Sequence, residues 1–129
     1  MFERGLDFFD DLFGGPTRLD YERVWEEITA RPLPQGRVVL PGAFVDWDNT
    51  ARYRRHATIF DGASPAAFER GLDRLAQRMG GLPQQEQLLF INAWNEWAEA
   101  AYLEPDRRFG HAFLEAVRNA IEADKLLRM

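Results

Sequence analysis

Apolar positions recur along the chain at helical and at extended spacings, and the alternation between them divides it into elements. Over Met1 to Phe13, Phe2, Leu6, Phe9 and Phe13 stand three or four apart before Gly14-Gly15-Pro16. This predicts an amphipathic helix whose stripe needs a partner. Asp20 is placed to cap a second helix with Tyr21, Val24, Trp25 and Ile28 on one face, stopped by Pro32 and Pro34. Arg37 to Val45, RVVLPGAFV, is apolar and β-branched and reads as a buried strand. Proline cannot donate to a ladder, so Pro41-Gly42 predicts a bulge or an edge there. A long polar loop, Asp46 to Ala63, follows. Ser64-Pro65 then supplies the cap and first residue of a helix with the core stripe Phe68, Leu72, Leu75 and Met79, closed by Gly80-Gly81. Leu88 to Ile91 reads as a second buried strand. A last helix carries Phe109, Phe113, Val117 and Ile121 on one face, with Ala112, Ala116 and Ala120 beside them.

The order helix, helix, strand, helix, strand, helix is that of an α/β protein. Its strand–helix–strand portion calls for parallel strands joined by a right-handed crossover. At 129 residues the chain makes one small domain, about half of a typical barrel of ~250 residues. Hydrophobic residues at 46% and charged residues at 29% suit a soluble fold. A net charge of −5 argues against nucleic acid or an anionic membrane as partner. The absence of cysteine excludes disulfides and thiolate metal sites and suits a cytoplasmic protein. His56 and His111 are too few for a histidine metal site, no residue reads as a metal ligand set, and no cofactor is demanded. No integral membrane segment or signal peptide is legible.

Candidate chemistry concentrates in Leu88 to Asp106, LLFINAWNEWAEAAYLEPD, where an apolar run breaks into amides, indoles and carboxylates. Glu96 and Glu99 are three apart, so a helical turn would set them on one face. Two such carboxylates can serve a glycosidic bond, one protonating the leaving oxygen and the other acting at the anomeric carbon, and their mutual repulsion separates their pKa values. Alternatively, they are acids placed against a helix dipole. Parallel strands would bring this cluster and Asp46 to Arg52 to one rim. Trp94 and Trp97 can stack on sugar faces or pack in the core. Asn92 and Asn95 can bond hydroxyls or tie down the turn, and Tyr102 and Glu104 can touch the rim or set the last helix. Trp47, Asp48 and Asn49 join the substrate-binding candidates, the latter two otherwise shaping their loop. Arg52 can hold a phosphate or uronate, or pair with Asp46 or Asp48. Asp46-Trp47-Asp48 also spells the D-x-D of metal-dependent nucleotide-sugar transferases. His56 beside Arg54 and Arg55 reads as a solvated basic run, and His111 as surface.

NAWNEWAEAAYLEPD, with Phe109, Gly110 and FLEA after it, resembles the end of the WbsX-type glycosyltransferase domains of bacterial polysaccharide clusters. These in turn resemble the family 99 glycoside hydrolases, the endo-α-mannosidases, through an NEW-x-E core. A second block, WDNTAR at Trp47 to Arg52 with ATIF at Ala57 to Phe60, matches the same family upstream. The resemblance implies the last βαβα part of a (β/α)8 TIM-type barrel over residues 17–129, an incomplete barrel, with residues 1–16 as an added helix and Gly-Pro break. It implies Glu99 as acid/base, Glu96 as the group drawing a proton from the sugar 2-hydroxyl, and a carbohydrate or nucleotide-sugar substrate. It further implies a homo-oligomer or complementary chain to supply the missing barrel half. The alternative is a non-catalytic remnant serving as a carbohydrate-binding or assembly module. Ala98 and Ala100 stand where the hydrolases carry histidine and glycine; the first favours the transferase-like branch. Ala100 puts a β-carbon where a positive φ would disfavour it.

Overall fold

The computed structural model describes residues 14–32, 36–83 and 87–127; the helix expected over Met1 to Phe13 lies outside them. Strand β1 (Thr17–Asp20) leads directly into helix α1 (Tyr21–Ala30), whose cap is the expected one: Asp20 accepts from the Arg23 N–H at 2.8 Å. Strand β2 (Gly42–Phe44) is followed by the short helix α2 (Thr50–Tyr53), a 3-10 turn (Arg54–His56) and strand β3 (Thr58–Asp61). Helix α3 (Pro65–Met79) carries the expected serine cap, Ser64 Oγ accepting from Ala67 N–H at 3.3 Å, and buries Phe68, Leu72, Leu75 and Met79. Then come β4 (Phe90–Asn92), the β5–β6 hairpin (Asn95–Glu96, Ala101–Tyr102) around a 3-10 turn (Trp97–Glu99), and helix α4 (Ala112–Leu127).

The expected parallel pair is present, with β2 running beside β4, Ala43 opposite Ile91, and α3 in the chain between them. Both strands are shorter than the apolar runs that predict them. β2 begins only after Pro41, whose carbonyl still accepts from Phe90 N–H at 3.1 Å, so the proline marks the strand's start rather than a bulge. Nor is β4 buried. Leu88 and Phe90 are 53% and 62% exposed, whereas Leu89 and Ile91, one position out of phase, pack on the core. The expected polar loop Asp46 to Ala63 contains α2 and β3, and β3 pairs in parallel with β1. No long apolar run signals that pair; its register is reinforced by Arg18 Nε donating to Asp61 Oδ2 at 2.8 Å. The two pairs are stitched together by Phe60 N–H on Trp47 O (2.8 Å) and an Asp48–Ile59 bridge.

The core lies where α1, α3 and α4 meet the strands. Trp25 is almost wholly buried, stacks on Phe44 at 4.8 Å, and lies so close to α3 that a β-carbon on Gly71 would fall 2.4 Å from its ring. Tyr21 Oη sits 2.9 Å from the carbonyl oxygens of Phe44 and Val45, tying α1 to the end of β2, and burial raises its pKa. Arg78 of α3 donates to Ile28 O (3.0 Å) and to Arg31 O, satisfying carbonyls at the end of α1. On α4 the buried stripe is Phe113, Ala116 and Ala120, not Phe113, Val117 and Ile121; Ile121 is 52% exposed. The small alanines allow close approach to α3, and Phe109 precedes the helix, meeting Phe113 edge-on at 5.3 Å. Among the described residues no helix is long and apolar enough to cross a membrane.

Gly71→Ala should therefore destabilise the fold by about 1–3 kcal/mol, as overpacking does, because its β-carbon would press on the ring of Trp25, which is buried and stacked on Phe44. Urea denaturation followed by tryptophan fluorescence measures this.

Candidate active site

The Asp46 to Arg52 loop is built by its own polar side chains. Asp46 Oδ1 accepts from Trp47 N–H (2.7 Å), Asp48 Oδ1 from Thr50 N–H (2.9 Å), and Asn49 Oδ1 from Thr58 N–H (2.7 Å). Through these bonds both Asp48 and Asn49 shape the loop. Hydrogen bonds from Thr50 hold the Asp48 carboxyl below its ordinary pKa, while burial pushes that of Asp46 up. One carboxylate oxygen of each D-x-D aspartate is thus engaged by a backbone amide. Among the described residues no group of three or more His, Asp or Glu is placed to hold a metal ion. Asn49 O also accepts from Arg52 and Tyr53 N–H (3.0 and 3.1 Å), winding the short α2 that presents Arg52.

The second loop holds Glu96 and Glu99 at a 3-10 turn, Trp97–Glu99, set at the tip of a hairpin rather than at the start of an α-helix. After β4 the Asn92–Ala93 peptide is cis. Trp94 O accepts from Leu103 and Glu104 N–H at 3.0 and 3.1 Å, closing a hairpin in which Asn95 faces Tyr102 and Glu96 faces Ala101. Cross-strand pairing and the complete burial of Ala101 hold the hairpin, and Ala100 N–H donating to Trp97 O at 3.3 Å closes the 3-10 turn at its tip. The turn closes with Ala100 at φ 57°, the positive value that makes an alanine costly.

The two loops meet. Asp48 N–H donates to Glu99 O at 2.9 Å, and the Arg52 guanidinium reaches both acids, Nη1 lying 3.2 Å from Glu99 and Nη2 3.7 Å from Glu96. The partners expected for Arg52, Asp46 and Asp48, are not the ones it takes. The reason is that those aspartates turn inward to their own loop. Glu99 is the more enclosed acid, its side chain 12% exposed against 38% for Glu96. A cation close to two like charges offsets their repulsion.

Trp94 and Trp97 are 54% and 50% exposed, so neither is a core residue. Trp97 stacks on Tyr102 at 3.7 Å between ring centres, and its Nε1–H donates to Glu104 Oε2 at 2.6 Å. Tyr102 Oη–H donates to Asp106 Oδ2 at 2.9 Å. Burial foremost, together with this partner, raises the Tyr102 pKa. Asn92 is exposed at the end of β4 and Asn95 on β5 of the hairpin, and Trp47 is half-buried. Asp106 is absent from the residues singled out by sequence. Its Oδ1 accepts from Phe109 and Arg108 N–H at 2.5 and 2.9 Å, and these amides, Phe109 first, depress its pKa. The signal is Asp106 followed by Gly110 at φ 57°, a local turn whose ends bond each other.

Comparison with known proteins adds a lineage to this geometry. A family model described as "Glycosyltransferase WbsX" matches residues 7–117. The chain is 39% identical over 116 residues to a protein of Xanthomonas campestris pv. campestris strain B100 named "Uncharacterized protein WxcX". It is 40% identical over 104 residues to the protein of that name from strain ATCC 33913. These alignments cover 89% and 80% of this chain but 16% and 15% of the relatives, so the chain spans about one sixth of their length. No solved structure matches at a significant level.

Two outcomes follow from the turn geometry. Ala100→Gly should raise stability by about 0.5–1 kcal/mol in urea denaturation, since glycine enters this φ region without steric cost. The folded-state pKa of Asp106 lies below its unfolded value, so its contribution is complete above the unfolded pKa and disappears as pH falls through the folded one. Asp106→Asn should therefore lose less thermal stability than the parent between about pH 5 and pH 2, read from melting curves across that range.

Proposed function

Because the chain belongs to the WbsX glycosyltransferase family, we propose that it acts on glycosidic linkages in bacterial surface-polysaccharide synthesis, with Glu96 and Glu99 as its reactive pair. The observation that carries this reading is the contact of one guanidinium, Arg52 from the upstream block, with both carboxylates of the downstream block. Arg52 and the Asp48–Glu99 backbone bond give the two acids a common orientation, as an acid and a second group working on one bond require. In this reading Glu99 gives a proton to the leaving glycosidic oxygen. Glu96 takes one from the sugar 2-hydroxyl, whose oxygen attacks the anomeric carbon; water or an acceptor hydroxyl then opens the anhydro-sugar. Hydrolysis and transfer differ only in that last acceptor.

The β2–α3–β4 unit is read in the same proposal as part of a (β/α)8 barrel on the cytoplasmic side of the membrane. Its other strands would come from elsewhere in a longer chain, a complementary chain, or a second copy. The competing reading is a carbohydrate-binding module without turnover. It is favoured by the openness of the site, with Arg52 54% exposed and both tryptophans half exposed, where catalysis benefits from an enclosed, preorganised environment.

Glu99→Gln and Glu96→Gln should each lower turnover of polysaccharide-derived glycosides about 10²–10⁴-fold while leaving the melting curve in place. Sugar binding without any turnover in the parent chain would support the module instead.

A further inference from the structure

We propose that the outer face of Trp97 is a platform for an uncharged pyranose, held in place by Tyr102, Glu104 and Asp106, and that it discriminates against anionic sugars. This rests on the glycan-handling reading above and names the class of sugar for that site.

Trp97 is 50% exposed although Tyr102 covers one of its faces at 3.7 Å and 16°. The exposed surface is therefore the opposite face and the ring edges. An indole left in solvent ordinarily samples several rotamers, but this one is pinned at several points. Tyr102 lies beneath it and Glu104 Oε2 holds its N–H at 2.6 Å. Tyr102 is in turn anchored through its hydroxyl to Asp106, which the Phe109 and Arg108 amides fix. A ring already immobilised loses little freedom when a ligand settles on it. Its position is equally specific: Trp97 follows Glu96 directly and shares a 3-10 turn with Glu99. A sugar ring lying on it would sit beside the carboxylate pair.

Charge selects the ligand. The face of an indole is electron-rich and attracts the electropositive C–H surface of a pyranose. Donation of its N–H to a carboxylate adds to that density. A uronate or sugar phosphate on the same face would meet Glu104 at the indole edge and Asp106 at the far end of Tyr102. Arg52 is paired with Glu96 and Glu99, and Arg108, over the Phe109 ring at 4.5 Å, acts on the Tyr102 side, so the discrimination rests on Glu104 at the indole edge. The anionic ligand considered for Arg52 from sequence is thus disfavoured at this platform.

The test is ¹⁹F NMR of the 129-residue chain carrying 5-fluorotryptophan, titrated with methyl glycosides of glucose, mannose and galactose and with the corresponding glucuronide and galacturonide. The Trp97 resonance is assigned by Trp97→Phe, and melting curves confirm that each variant folds. At least one neutral glycoside should shift that resonance, with its uronate binding at least about fivefold more weakly. Trp97→Ala, which removes the reporting indole and is therefore titrated by calorimetry alongside the parent, should weaken the neutral ligand about tenfold or more. Glu104→Gln, which keeps an acceptor for the indole but removes its charge, should erase most of the discrimination between the neutral sugar and its uronate. Uronates binding as tightly as neutral sugars, neutral binding indifferent to Trp97→Ala, discrimination surviving Glu104→Gln, or no shift with any glycoside would overturn the platform. Turnover that survives Glu99→Gln while the Trp97 shift persists would instead remove the catalytic reading and leave the platform standing.

Discussion

A tryptophan lying flat against a helix needs a residue without a side chain beneath it. Trp25 meets that condition at Gly71, and much of the structure depends on the contact. With its ring on α3, Trp25 presents its other surface to Phe44, the last residue of β2, and Tyr21 one turn earlier takes up the Phe44 and Val45 carbonyls. The end of β2 is therefore fixed by aromatic packing and side-chain hydrogen bonding as well as by its short ladder with β4. From that point the chain enters the loop that carries Arg52.

Electrostatics acts at the other end of the same path. Glu96 and Glu99 repel, and two such charges at one turn would move apart in the absence of a cation. Arg52 supplies it from a loop more than forty residues upstream, and Asp48 clamps the backbone of Glu99. The neighbouring Asp46 and Asp48 do not capture Arg52 because each already accepts an amide of its own loop. The self-capping of one set of acids thus leaves the arginine available to the other set, a division that shows only once the loop is folded.

This separates what the sequence displays from what it conceals. Helices α1 and α3 are legible in their caps and stripes, as is the parallel β2–β4 pairing, because each follows from local propensity and apolar period. The β1–β3 pair is not, since TRLD and TIFD are short, largely exposed at β1, and stabilised by a partner distant in sequence. The spacing of Glu96 and Glu99 allows a helical turn, and one of 3-10 type forms there, but the hairpin with Ala101–Tyr102 that carries it is not legible. The convergence of the two polar clusters is legible from strand direction; the partner of Arg52 and the part played by Asp106 are not. The buried face of α4 is displaced because alanine, weak as an apolar signal, is favoured where two helices must approach closely.

The pairing of Ala43 with Ile91 also has a kinetic meaning. The two strands that position the polar clusters are separated by the whole of α2, β3 and α3, so their ladder repays the entropy of closing that loop only after the intervening chain is ordered. Helix α3 can form from local contacts on a far shorter timescale. The carboxylate–guanidinium cluster accordingly belongs to the slow, non-local phase of folding, and it should share its rate with the sheet rather than with the helices.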